Sequence, residues 1–197
     1  GDNVARVARG SDVGGANADL VSSDSLPNIQ LTGLSGLTVT GGTGGDVVTF
    51  ATWFLAGATN TNYQFNGGAT DTLVIEGVDG GTGTGNDSFT VRNAAGATPA
   101  GPVSVTNNKG TLARVTAVNA SMGRLQINTL GGDDVVTVDV NGTALITVPI
   151  TFDGGANSDL LQVQGTPTGG AVNATYRPGP AVTEGRLTWV NAATMTV

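Results

Sequence analysis

The chain has no cysteine and no histidine in its 197 residues. The first absence excludes a disulfide framework and thiolate metal sites; the second excludes an imidazole base, a Ser-His-Asp triad and an ordinary zinc centre. Charge is also scarce. Charged residues make up 12%, about half the ~25% of average proteins, and the 8 basic against 15 acidic residues leave a net charge of -7. That balance lacks the basic footprint needed to neutralise a phosphate backbone, so no nucleic-acid partner is expected. Long apolar runs are missing too: the stretch from Ala144 to Ile150 is broken by Thr147 and Pro149, far short of the ~20 residues of a membrane-spanning helix.

What the chain has instead is glycine, 32 residues of it, roughly twice the ~7% of ordinary proteins. No collagen triplet is present. Threonine, valine and asparagine fill the intervals, the composition of short strands joined by tight turns, and 39% apolar residues are enough for a packed core. The expected fold class is all-β.

A recurring unit organises the sequence: two glycines, a spacer, an aspartate, then alternating apolar positions. It occurs at Gly14-Gly15 with Asp19, Gly44-Gly45 with Asp46, Gly67-Gly68 with Asp71, Gly80-Gly81 with Asp87, Gly131-Gly132 with Asp133 and Asp134, and Gly154-Gly155 with Asp159. Aligned aspartates are separated by 27, 25, 16, 47 and 25 residues. The period is near 25, with one skipped copy, and Asp87 is out of phase. The second and fourth residues after the aspartate are mostly large and apolar: Val48 and Phe50, Leu73 and Ile75, Phe89 and Val91, Val136 and Val138, Leu161 and Val163, while the first copy departs with Val21 and Ser23. Strand side chains repeat direction every two residues, so each pair faces one interior. A single unit cannot bury such a pair alone. Stacking successive units would, which gives the expected architecture: a parallel β-helix or β-solenoid of coils of about 25 residues.

Two turn signals point to antiparallel pairing as well. Asn107 to Gly110 separates Val103-Ser-Val105 from Leu112 to Val115, and Asn141-Gly142 separates Val135 to Val140 from Thr143 to Val148. They read either as hairpins protruding from a solenoid or as parts of an antiparallel β-sandwich. No linker divides the chain, so residues 1–197 are expected to form one all-β domain. Gly1 to Val4 reads as the tail of a truncated unit, and Met195 to Val197 as a strand without a cap. The chain is therefore expected to be a segment of a longer array or a subunit that docks end to end on copies of itself.

These units resemble the glycine- and aspartate-rich repeats of haemolysin-type calcium-binding proteins and, more broadly, the repeat regions of large secreted bacterial surface and adhesion proteins. The resemblance covers about half the chain in fragments. Gly80-Gly81-Thr-Gly83-Thr-Gly85-Asn-Asp87-Ser-Phe89 comes nearest the haemolysin-type pattern; elsewhere the third glycine is replaced and units are not in tandem. The resemblance implies a parallel β-roll with calcium between turns and an extracellular or cell-surface location; surface glycans are expected as partners only through exposed aromatic side chains.

Calcium takes six to eight oxygens, and glycine-rich turns can aim carbonyls inward beside a carboxylate. The candidate ligands are Asp71, Asp79, Asp87, Asp133, Asp134, Asp153 and Asp159. The competing reading is that each aspartate closes its turn by accepting backbone amides. Among Trp53, Phe54, Tyr63, Phe65, Tyr176 and Trp189, the run Trp53-Phe54-Leu55 must turn bulky groups outward, so Trp53 and Phe54 are the candidate contact surface. Function is expected to be non-enzymatic: a structural module of a surface layer, fibre or adhesin. A carbohydrate-binding or adhesion domain is the alternative. A glycan-active β-helix enzyme is the third, and an exposed cleft lined with carboxylates and an arginine would mark it.

Overall fold

The structure, a computed structural model, describes residues 3–10, 18–23, 29–32, 36–51, 62–77, 85–94, 101–107, 114–117, 122–170, 172–180, 184–191 and 193–197. Every regular element in it is a strand, and the strands form two seven-stranded sheets and one of three strands. In chain order the first sheet contains β1 (Val4–Gly10), β2 (Ala18–Ser23), β3 (Ile29–Thr32), β5 (Val47–Ala51), β7 (Thr72–Glu76), β11 (Arg124–Asn128) and β13 (Ile150–Asp153). The second contains β4 (Gly36–Thr40), β6 (Asn62–Asn66), β8 (Ser88–Asn93), β9 (Val103–Asn107), β10 (Arg114–Ala117), β12 (Val135–Asp139) and β14 (Leu160–Gln164). The small sheet is β15 (Asn173–Pro178), β16 (Gly185–Val190) and β17 (Thr194–Thr196).

Both large sheets are mixed. In the first, β13, β11, β7, β5 and β1 run parallel side by side, and β2 and β3 continue the sheet antiparallel. In the second, β14, β12 and β8 are parallel, β9 and β10 are antiparallel, and β10, β6 and β4 are parallel again. The all-β expectation therefore holds, while neither a wholly parallel nor a wholly antiparallel arrangement describes the sheets. From β4 to β8, and again from β10 to β14, successive strands alternate between the two sheets.

The inward pairs lie over one another. In the first sheet Val48, Leu73, Leu125 and Ile150 are in register, as are Phe50, Ile75, Ile127 and Phe152. In the second, Phe89, Val136 and Leu161 are aligned, and so are Val91, Val138 and Val163. Alternation causes this: β5 reads Val-Val-Thr-Phe-Ala, and its even positions are buried while Thr49 faces outward, half-buried. Both inner faces belong to one core, where the Phe50 and Tyr63 rings meet across the sheets with centroids 5.5 Å apart. Met195 of β17 is part of it.

The phase of Asp87 has a structural cause. Asp46 and Asp71 precede β5 and β7 of the first sheet, whereas Asp87, Asp134 and Asp159 precede β8, β12 and β14 of the second. The interval of 16 is the step from one sheet to the other. The interval of 47 spans β9 and β10, the pair foreseen from Asn107 to Gly110, with Val105 opposite Val115.

The second expected hairpin does not form. Asn141 and Gly142 make a turn, with Gly142 at φ +65°, but β12 pairs in parallel with β8 and β14 rather than with residues 143–148. Ala144, Leu145, Ile146 and Val148 are all buried. Near-consecutive burial cannot be met by a strand whose side chains alternate, so the segment fills the core as irregular chain.

Candidate functional site

Two features gather the chemistry-bearing residues: ladders of aspartates where the chain enters each sheet, and a polar cleft beside β13. The ladders follow from register. Asn3, Asp46 and Asp71 each stand immediately before the first paired residue of a parallel strand in the first sheet, and Asp87, Asp134 and Asp159 do the same in the second. One oxygen of each later carboxylate reaches back to the preceding strand. Asp46 Oδ1 accepts the Asn3 amide at 2.9 Å and the Asn3 side-chain Nδ2 at 2.9 Å. Asp71 Oδ1 accepts the Asp46 amide at 2.9 Å. Asp134 Oδ1 accepts the Asp87 amide at 2.6 Å, and Asp159 Oδ1 accepts the Asp134 amide at 3.1 Å.

The second oxygen in the first sheet closes the local turn. Asp46 Oδ2 accepts from Gly42 N and Asp71 Oδ2 from Gly68 N, each at 2.6 Å. These are charge-assisted bonds to backbone donors in largely buried surroundings, since Asp46, Asp71, Asp87 and Asp134 are all buried. The Asn3 side chain, first, and the Gly42 amide hold the Asp46 carboxyl below its ordinary range. Its contribution to stability is therefore present above the ordinary carboxylate value and is lost as pH falls through the lowered one.

The second sheet differs. Asp134 Oδ2 is buried with no hydrogen-bond partner. Asp159 lies beside it, and burial together with the charges of Asp134 and Asp133 pushes the Asp159 carboxyl above its ordinary value, against the opposing pull of the Asp134 amide. A carboxyl raised on folding binds its proton more tightly in the folded chain. Its stabilising contribution is thus complete at low pH and is lost as pH rises through the raised value. Replacing Asp159 by Asn keeps an oxygen for the Asp134 amide and removes the like charge. We expect Asp159→Asn to melt higher than the parent at pH 7, with the gap closing as both are titrated toward pH 4; circular dichroism melts across that range measure it.

The remaining candidates fall in several places. Asp133 Oδ1 accepts the Ser158 amide at 3.1 Å, and Asp153 Oδ1 accepts the Gly155 amide at 3.2 Å. Both are exposed. Asp79, Trp53 and Phe54 lie outside the described residues. Tyr63 and Phe65 are core, Trp189 packs half-buried against the core, and Tyr176 is exposed. Among the described residues no three acidic side chains come together as a metal-holding group. Asp46 and Asn3 were absent from the candidate set, although their place just before an apolar strand is the signal that would have found them.

The cleft was not foreseen. It measures about 880 Å³ and is lined by Arg124 and Gln126 of β11, Phe152 and Asp153 of β13, Asp159, and Glu184 from beside β16. Period-2 alternation puts Arg124 and Gln126 on the outer side of β11 while Leu125 and Ile127 are buried. Three carboxylates against one guanidinium make this a negative surface. No protein-family model, curated protein or solved structure matches this chain.

Proposed function

We propose that the chain is a non-enzymatic structural module of an extracellular surface layer, fibre or adhesin, whose parallel runs act as rungs of a solenoid-like column. The supporting observation is the aspartate ladder, in which Asp71 holds the amide of Asp46, Asp134 that of Asp87 and Asp159 that of Asp134, each on the rung before it. Such a chain of bonds fixes register from rung to rung and resists shear more than an apolar stack would, because sliding by one residue leaves buried amides unpaired. In the second sheet the ladder also ends open. Among the described residues strands β13 and β14 each pair on one side only, the Asp159 amide has no acceptor, and Leu160 at the start of β14 is 50% exposed. An unpaired edge with an exposed leucine is a template for another strand.

On this reading the chain associates end to end as concentration rises, and Leu160→Lys abolishes association without lowering the melting temperature. Light scattering and electron microscopy of parent and variant test it; a parent that stays monomeric at millimolar concentration sinks the proposal. Calcium belongs to the proposal as a clamp on the acidic turns, and exhaustive chelation would then lower the melting temperature. The cleft meets the condition set above for glycan chemistry, so release of reducing ends from polysaccharides belongs in the same set of assays. The proposal expects none.

A further inference from the structure

The cleft borders an unpaired strand edge. Among the described residues β13 is bonded to β11 alone. Pro149 and Asp153 aim their carbonyls at β11, accepting from Leu125 N and Thr129 N at 2.9 and 3.0 Å. Backbone groups alternate sides along a strand, so Ile150 and Phe152 direct theirs away from β11, toward the open edge. Phe152, half-buried, supplies apolar surface in the cleft, and Asp153, Asp159 and Glu184 supply negative charge that Arg124 offsets only in part. Asp134, with its buried and unpartnered Oδ2, stands one rung behind Asp159 and outside the cleft lining.

We propose that the cleft is a docking site for an extended peptide segment with lysine or arginine at alternate positions, which adds to the first sheet as a strand beside β13. Strand addition supplies the backbone bonds that Ile150 and Phe152 leave unmade, while alternate side chains separate into two sets. One set lies over Phe152; the other carries its cations to Asp153, Asp159 and Glu184. Electrostatic complementarity at this rim sets partner choice and the rate of encounter. The site shares the β13 edge with the end-to-end assembly proposed above, so a docked copy and the peptide compete for it, and a chain that never polymerises still presents it.

The test is fluorescence anisotropy with a labelled nonapeptide of alternating lysine and valine, run on the full chain at low protein concentration and ~0.15 M salt. Three comparison peptides accompany it: glutamate in place of lysine, the lysine peptide N-methylated at alternate amides, and an oligolysine of equal charge. We expect the lysine-valine peptide to bind at least tenfold more tightly than any of the three. Glu184→Gln combined with Asp153→Asn should weaken it about tenfold while the melting temperature is unchanged, both side chains being exposed. Equal binding of the N-methylated peptide or of oligolysine would reduce the site to unspecific charge attraction and overturn strand addition. No binding to a folded parent, or displacement of bound peptide by a neutral glycan in preference to lysine peptides, would overturn the partner class.

Discussion

Asp71→Ala is expected to destabilise the chain by about 3–5 kcal/mol, because the carboxylate satisfies two backbone donors at once. Its oxygens accept Gly68 N at 2.6 Å and Asp46 N at 2.9 Å, and the residue is 1% exposed. Water cannot readily replace it, so truncation leaves two amides without acceptors and a small void. For a chain of this length the loss corresponds to a fall in melting temperature of roughly 10 °C or more. Asp71→Asn separates charge from shape. Asparagine has one acceptor oxygen, so whichever way the amide is turned its NH2 faces a backbone N–H, and about half the loss is expected. Asp133→Ala, which removes one exposed bond, should cost under ~1 kcal/mol. Urea titrations of the three variants measure the order. Equal stability of Asp71→Ala and Asp133→Ala would mean that the ladder contributes nothing.

The opposite response of Asp159 sharpens the contrast. Asp71 and Asp159 occupy equivalent sequence units, yet neutralising the first is expected to destabilise and neutralising the second to stabilise. The difference lies in what the neighbouring rung supplies. Asp71 meets two amides, while Asp159 meets an amide and the like charges of Asp134 and Asp133. Repeat position alone does not determine the worth of a carboxylate.

This bears on what the sequence made legible. Strand faces were legible because alternation is local: Val48/Phe50, Leu73/Ile75, Phe89/Val91 and Val136/Val138 are all 3% exposed or less. The vertical stacking of equivalent pairs was legible in part, since near-constant spacing carries the same pairs into register. Which of two sheets a unit joins was not. Asp87 looked like an irregularity because a one-dimensional spacing cannot distinguish a half-step between sheets from an error in phase. Rungs without the aspartate signature were missed for the same reason: Leu125 and Ile127 of β11 carry the stack between β7 and β13, yet a glycine precedes them. The cleft was illegible because Arg124, Asp159 and Glu184 are brought together only by tertiary placement.

That glycine yields the last expectation. Register places Gly123 in the ladder column: Arg124 pairs with Thr72, which pairs with Val47, so Gly123 stands where Asp71 and Asp46 stand in the rungs before it. A repeat consensus would restore aspartate there and forecast a gain. The geometry forecasts a loss. A Cβ on Gly123 would lie 2.6 Å from the Ala69 carbonyl oxygen and 3.0 Å from that of Asp71, both backbone atoms of the turn it rests on. Neither can rotate away as a side chain would. The Gly123 and Arg124 amides already bond the Gly68 and Asp71 carbonyls at 3.3 and 3.2 Å, so moving the rung outward would stretch those bonds. Overpacking of this kind costs about 1–3 kcal/mol for the Cβ alone, and a carboxylate set among carbonyl oxygens adds desolvation without a donor. Gly123→Ala should therefore lose about 1–3 kcal/mol and Gly123→Asp about 3 kcal/mol or more, read from urea midpoints at pH 7. A more stable Gly123→Asp would mean that the turns are spaced more loosely than these contacts require, and that the ladder can be extended by sequence consensus alone.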